Sequence, residues 1–115
     1  MVCINSAQIF VGKERTPKLK GSYRAYFQIV VDGELKISSD YPLSGNKNNT
    51  IMFLTMVSEG LRRELLAEGL PCYKLVNSKK YNKNGTVEDL DPLNELELMV
   101  LRTGIKTHGG ILEVN

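Results

Sequence analysis

Apolar residues alternate or cluster along this chain in a way that predicts strands first and helices later. Residues 2–11, VCINSAQIFV, are rich in Val, Ile and Phe and read as a strand. Gly12, Pro17 and Gly21 then break the pattern, so 12–22 reads as a loop. Residues 23–41 form a hairpin pattern about Asp32-Gly33. Tyr23, Ala25, Phe27 and Ile29 share one face of its first arm, and Leu35, Ile37 and Tyr41 share one face of its second. A two-residue turn would set Ile29 against Lys36. A turn at Val31-Asp32-Gly33 sets Ile29 against Leu35 and Phe27 against Ile37, so the apolar match predicts the three-residue turn with Gly33 left-handed.

The period then changes. After a loop at 41–49, residues 50–69 carry Ile51, Leu54, Ser58, Leu61 and Leu65 at helical spacing. Asn48, Asn49 and Thr50 offer capping oxygens, and Gly69 and Pro71 end the helix. Gly60 inside it suggests close packing on a neighbouring strand. Residues 71–77 read as a strand directly after a helix, which predicts a crossover and parallel pairing with the first strand. Residues 78–86 read as a loop. Residues 91–104 read as a helix capped by Asp91 and ended by Gly104, with the alternation in LELMVL leaving a strand as the alternative. The tail from 105 reads as a short strand or hairpin. The element order is β-β-β-α-β-α-β.

The 115 residues, 42% apolar and 24% charged, suit a small single domain, 1–115, with one core. No apolar run approaches the ~18 residues of a membrane span, and the first ten residues lack the pattern of a signal peptide. The expectation is a soluble, cytoplasmic protein with no membrane contact. Cys3 and Cys72 sit in apolar, strand-like contexts and read as buried free thiols. With a lone His108 they are too few for a structural zinc site, and no metal or other cofactor is expected. GKERTPKLKG lacks the Gly-Lys-Ser/Thr ending of a phosphate-binding loop.

Charge is divided unevenly. Residues 1–87 hold 13 Lys/Arg and 7 Asp/Glu, a balance of +6, and residues 88–115 hold 2 and 6, a balance of −4. The basic segment 12–24 contrasts with the acidic segment 87–97.

KNNTIMFL at the start of the first helix and LVNSKKY at the end of the following strand, set in this element order, make the chain resemble the ribonuclease H-like fold. The resemblance implies an α/β mixed five-stranded sheet with an antiparallel meander and a parallel crossover. In that family a first-strand aspartate, a glutamate in the first turn of the helix and an aspartate closing the next strand hold divalent metal. Those positions fall at or near Asn5, Met52 and Asn77, and none is acidic. Amide oxygens and a thioether are poor substitutes for carboxylates. The resemblance therefore implies a pseudoenzyme with a degenerate site. Asn77 is expected to serve structure, bonding the loop backbone at the strand end. His108 sits in a stretch similar to the His-Gly loop of some ribonucleases H.

Three functions follow in order. The first is a nucleic-acid-binding module for RNA, single-stranded DNA or an RNA–DNA hybrid. Lys13, Arg15, Lys18, Lys20, Arg24, Lys79 and Lys80 would hold phosphates, and Tyr26 or Tyr81 would stack on bases. The second is a protein-interaction or homodimerisation module. The third is a metal-dependent nuclease with displaced acids, Asp40 foremost.

Overall fold

The computed structural model describes residues 6–15, 23–43, 47–106 and 110–114. The elements run β1 (Ser6–Arg15), β2 (Tyr23–Val31), β3 (Glu34–Leu43), α1 (Lys47–Ala67), β4 (Cys72–Asn77), β5 (Lys79–Tyr81), β6 (Val87–Asp89), α2 (Glu95–Lys106) and β7 (Leu112–Glu113). Five strands form one mixed sheet in the order β3-β2-β1-β4-β7, and β5 and β6 form a separate antiparallel ribbon. β1, β2 and β3 are an antiparallel meander. α1 crosses over from β3 to β4, which lies parallel to β1, as a strand following a helical crossover was expected to do. β7 adds a short parallel edge beside β4.

β1 continues past Gly12, where a loop was expected, and pairs Lys13–Arg15 with Tyr23–Ala25 of β2. The glycine is there for space: a Cβ at Gly12 would lie 2.8 Å from Leu90 Cβ. Leu90 packs on the strand where a side chain would otherwise stand.

The hairpin corrects the expected register. Its turn has two residues, with Asp32 at φ 52° and Gly33 at φ 75°, the doubly left-handed geometry that follows strand twist. Ile29 opposes Ile37, Val30 opposes Leu35, and Lys36 is the extra residue of a bulge. The bulge resolves the mismatch of a two-residue turn: it removes Lys36 from opposition to Ile29 and restores an apolar pair. It also turns Leu35 to the face opposite Ile37.

α1 begins at Lys47, so Asn48, Asn49 and Thr50 lie in its first turn and do not precede it. Leu54, Ser58, Leu61 and Leu65 form its buried stripe. They pack with Ile9, Val11, Ala25, Phe27 and Ile29 from the sheet and with Leu98, Leu101 and Ile105 of α2. Gly60 has nothing within 4 Å of its missing Cβ, so it does not mark close packing. The close approach is at Gly104, which lies inside α2 and does not end it; a Cβ there would sit 1.7 Å from Ser58 Oγ. Residues 95–106 are helical, not a strand. Asn94, not Asp91, caps α2: Asn94 Oδ1 accepts from Glu97 N at 2.8 Å, and Glu97 Oε1 accepts from Asn94 N at 2.8 Å.

Both helices cover the face bearing Ile9, Val11 and Phe27. Of the loop expected over 78–86, Lys79–Tyr81 is instead β5, paired with β6, while 82–86 is the turn between them, and this ribbon covers the opposite face. Phe10 meets Tyr81 edge-on at 5.6 Å between ring centres. Gln28, 1% exposed, accepts from Tyr81 N at 2.7 Å and donates to Tyr81 O at 2.8 Å. A side-chain amide here stands in for a strand neighbour, satisfying both backbone groups of Tyr81.

Cys72 is buried and disulfide-bonded, contrary to the free thiol expected, and Cys3 lies outside the described residues. Among the described residues no helix is long and apolar enough to cross a membrane.

Two predictions follow from this packing. Gly104→Ala lowers stability by about 1–3 kcal/mol through overpacking, and Ser58→Gly in the same chain recovers part of the loss; urea denaturation of the single and double variants checks this. Buried Tyr73 donates to Glu113 Oε1 at 2.9 Å, and burial first, then that bond, raises its pKa above the ordinary 10.0. The folded chain thus holds this proton after the unfolded chain has released it. Stability falls as pH rises above about 10, and Tyr73→Phe makes the fall shallower in denaturation measured between about pH 8 and pH 11.

Candidate functional site

In a sheet with parallel β1 and β4, chemistry belongs at the carboxyl ends of those strands. β4 ends at Asn77, whose neighbour on β1 is Val11. The Asn77 amide is engaged through both its oxygen and its nitrogen. Its Oδ1 accepts from Ser78 N at 2.9 Å and Leu93 N at 3.0 Å, and its Nδ2 donates to Leu93 O at 3.2 Å. Ser78 follows in the left-handed region at φ 68° and donates its hydroxyl to Leu90 O. Asn77 therefore serves the backbone at a sharp corner, as expected. The corner sends the chain from β4 across the sheet into β5.

Beyond Asn77 the 90–94 segment takes over the edge of β1. Lys13 N donates to Asp91 O at 2.9 Å, and Asp91 N donates to Lys13 O at 3.0 Å. A pocket of ≈ 300 Å³ lies on the helix side of this junction, lined by Lys13, Tyr23, Ile51, Leu54, Asn94, Glu97 and Val100 among others. Its polar centre is an ion pair, Lys13 Nζ to Glu97 Oε1 at 3.1 Å, with Lys13 also 5.0 Å above the Tyr23 ring. The Glu97 oxygen that caps α2 thus also neutralises Lys13.

Met52, one of the degenerate positions, is 67% exposed; the α1 residues that reach the pocket are Thr50, Ile51 and Leu54. Asn5 lies outside the described residues. Its neighbour Ser6 pairs with Cys72, at the opposite end of β4 from Asn77. Among the described residues no three of His, Cys, Asp and Glu gather as a metal ion would need. Asp40 accepts from Arg24 Nη1 at 2.6 Å.

The expected phosphate-binding cations are largely paired with acids. Lys13 is bound to Glu97, Arg24 to Asp40 and Lys79 to Asp89. Arg15 is exposed at the end of β1. Lys18, Lys20 and His108 lie outside the described residues. Lys80 Nζ lies 4.5 Å over the Tyr26 ring. The Tyr26 hydroxyl donates to Glu14 at 3.2 Å, and burial, followed by Glu14, raises its pKa. Tyr81 is structural: its hydroxyl donates to Gly33 O at 2.5 Å and its ring packs on Phe10.

A different surface stands open. β3 is an edge strand of the sheet, and a groove of ≈ 300 Å³ runs between it and α1. Ile37, Ser39 and Tyr41 form one wall, and Phe53, Met56, Val57 and Gly60 the other. Met56 is 67% exposed. Sequence reading passed over this groove, although the apolar face of β3 and the small Gly60 opposite were its signals. It also passed over Glu97 and Gln28. The N-x-x-E spacing of Asn94 and Glu97 announces a capping box, and a lone Gln in YFQIVV announces a buried polar clamp.

Asn77→Ala leaves two N–H groups and a carbonyl without partners. It costs about 2–3 kcal/mol in urea denaturation, more than a side chain spared from metal chemistry alone would. No family model, no curated protein and no solved structure matches this chain.

Proposed function

We propose that this chain is a protein-interaction module that takes an extended polypeptide along its β3 edge. The observation that carries this reading is the juxtaposition of a ten-residue edge strand with the apolar groove beside α1. An edge strand offers unpaired backbone N–H and C=O groups at regular spacing, and a groove alongside offers side-chain specificity. The ribonuclease H-like reading of the scaffold is supported by the strand order, with its meander, crossover and parallel pair. The absence of acids at Asn5, Met52 and Asn77 supports a role in binding, without a metal-dependent nuclease step.

Nucleic-acid binding is the second reading. It is favoured by the Lys80–Tyr26 stack on the face of the sheet away from the helices, with Arg24 on the same strand and Arg15 exposed at the end of β1. It ranks second because three of its cations, Arg24 among them, already face carboxylates, which cancel the local field a phosphate would feel.

One titration separates the two. Amide spectra of the labelled chain are followed against extended peptides of alternating Val and Thr, and against single-stranded RNA and DNA. The protein reading expects peptide-induced shifts on β3 and the facing side of α1. Shifts confined to Arg24, Tyr26 and Lys80 with nucleic acid, weakening by orders of magnitude between about 50 and about 200 mM salt, would replace it with the second reading.

A further inference from the structure

The pocket between β1 and the early residues of both helices is separate from the β3 groove and shares no lining residue with it. Its volume of ≈ 300 Å³ lies at the small end of ligand cavities, which suits a molecule of amino-acid size. Leu43, Ile51, Leu54 and Val100 make its walls apolar, and Tyr23 adds a ring. One ion pair, Lys13 with Glu97, is set into those walls. The two side chains are 17% and 9% exposed, so charges act on one another there more strongly than in bulk water.

The pair is not closed on itself. Lys13 Nζ carries three N–H groups and donates one to Glu97 Oε1 at 3.1 Å. The Tyr23 ring meets the ammonium at 5.0 Å, and at least one N–H is left over. Glu97 Oε1 also accepts from Asn94 N at 2.8 Å, while Oε2 accepts from no described residue. No described side chain has a polar atom both sealed from solvent and unpartnered, so Oε2 is within reach of solvent. An open donor and an open acceptor side by side select the charge of a ligand. An anion held by Lys13 alone would lie beside the Glu97 carboxylate, and a cation held by Glu97 alone beside the Lys13 ammonium; each meets repulsion. A neutral apolar molecule would strip water from both groups without replacing its hydrogen bonds. A zwitterion lying antiparallel to the pair sets its carboxylate on Lys13 and its ammonium on Glu97 Oε2. Both contacts are then charge-assisted hydrogen bonds, about twice as strong as neutral ones. An α-amino acid carries both charges on one carbon and leaves its side chain for the apolar walls.

We propose that this pocket binds a free apolar α-amino acid, with Lys13 on its carboxylate, Glu97 on its ammonium and its side chain against Leu43, Ile51, Leu54 and Val100. This goes beyond the reading of β3 as a polypeptide-binding edge and does not rest on it.

The test follows amide spectra of the labelled chain through titrations with leucine and phenylalanine, and with two trimmed forms of leucine: leucinamide, which lacks the carboxylate, and isocaproate, which lacks the ammonium. The amino acids bind saturably, with Kd between about 10 µM and about 1 mM, and shift amides at Lys13, Tyr23, Ile51 and 94–100. Each trimmed form binds about tenfold or more weakly than leucine. Lys13→Met and Glu97→Gln each weaken leucine about tenfold or more. Glutamine still serves in the capping box of α2, so Glu97→Gln stays folded. Val100→Phe fills the pocket from its half-buried wall without touching the pair, and it abolishes the shifts. Dispersed amide spectra show that each variant is folded. No saturable shift with either amino acid up to about 10 mM overturns the proposal. Leucinamide or isocaproate binding as tightly as leucine overturns it too, as does wild-type affinity in any of the three variants. The β3 response to Val-Thr peptides is read on other residues, so either reading can fail without the other.

Discussion

The burial of β1 on both of its faces is the constraint from which the rest of the architecture follows. Ile9 and Val11 face the helices, and Phe10 between them faces the other way, yet all three are at most 5% exposed. A strand with apolar side chains on both sides needs two covers. α1 and α2 supply one. The second has to come from the chain between β4 and α2, because the crossover places the helices on a single side. The Asn77–Ser78 corner turns that chain back over the sheet, and Gln28 fastens Tyr81 there through both of its backbone groups. Gly12 leaves room for Leu90, and the Lys13–Asp91 bridge extends pairing along β1 after β4 has ended.

This arrangement decides which surfaces are left for function. The carboxyl end of β4, where the resemblance expects a metal-binding acid, carries a backbone-bonding asparagine at Asn77, and further along β1 lies a neutralised Lys13–Glu97 pair. The back of the sheet is partly roofed by the ribbon, and what remains exposed there mixes Arg24 and Lys80 with Glu14 and Asp40. The β3 edge is different in kind. Its backbone pairing is satisfied on one side by β2, and the half-buried Ile37 and Tyr41 face a groove that α1 does not fill.

Much of this was legible in the sequence because periodicity reports burial. The stripe Leu54, Ser58, Leu61, Leu65 identified α1 and its buried face, and a strand following that helix identified the parallel neighbour of β1. Register was harder. The apolar match between Ile29 and its partner was the right criterion, but a bulge satisfied it where a longer turn was expected, and both solutions remove Lys36 from opposition. The β5–β6 ribbon was hidden because its residues, KKY and VED, are polar; they are strands through Gln28 and the Asn77 corner, which are long-range contacts. For the site, three of the cations that suggested nucleic acid in one dimension meet acids distant in sequence, Lys13 with Glu97 most of all. Charge balance over a segment cannot report such pairing.

Native-state hydrogen exchange resolved to single amides tests most directly whether β1 organises the molecule. The amides of Ile9, Phe10 and Val11 should exchange only through global unfolding, with the steepest dependence on denaturant, while those of Lys79–Tyr81 open earlier in a smaller unit. Exchange of the β1 amides by local opening, as fast as or faster than that of the ribbon, would contradict the account.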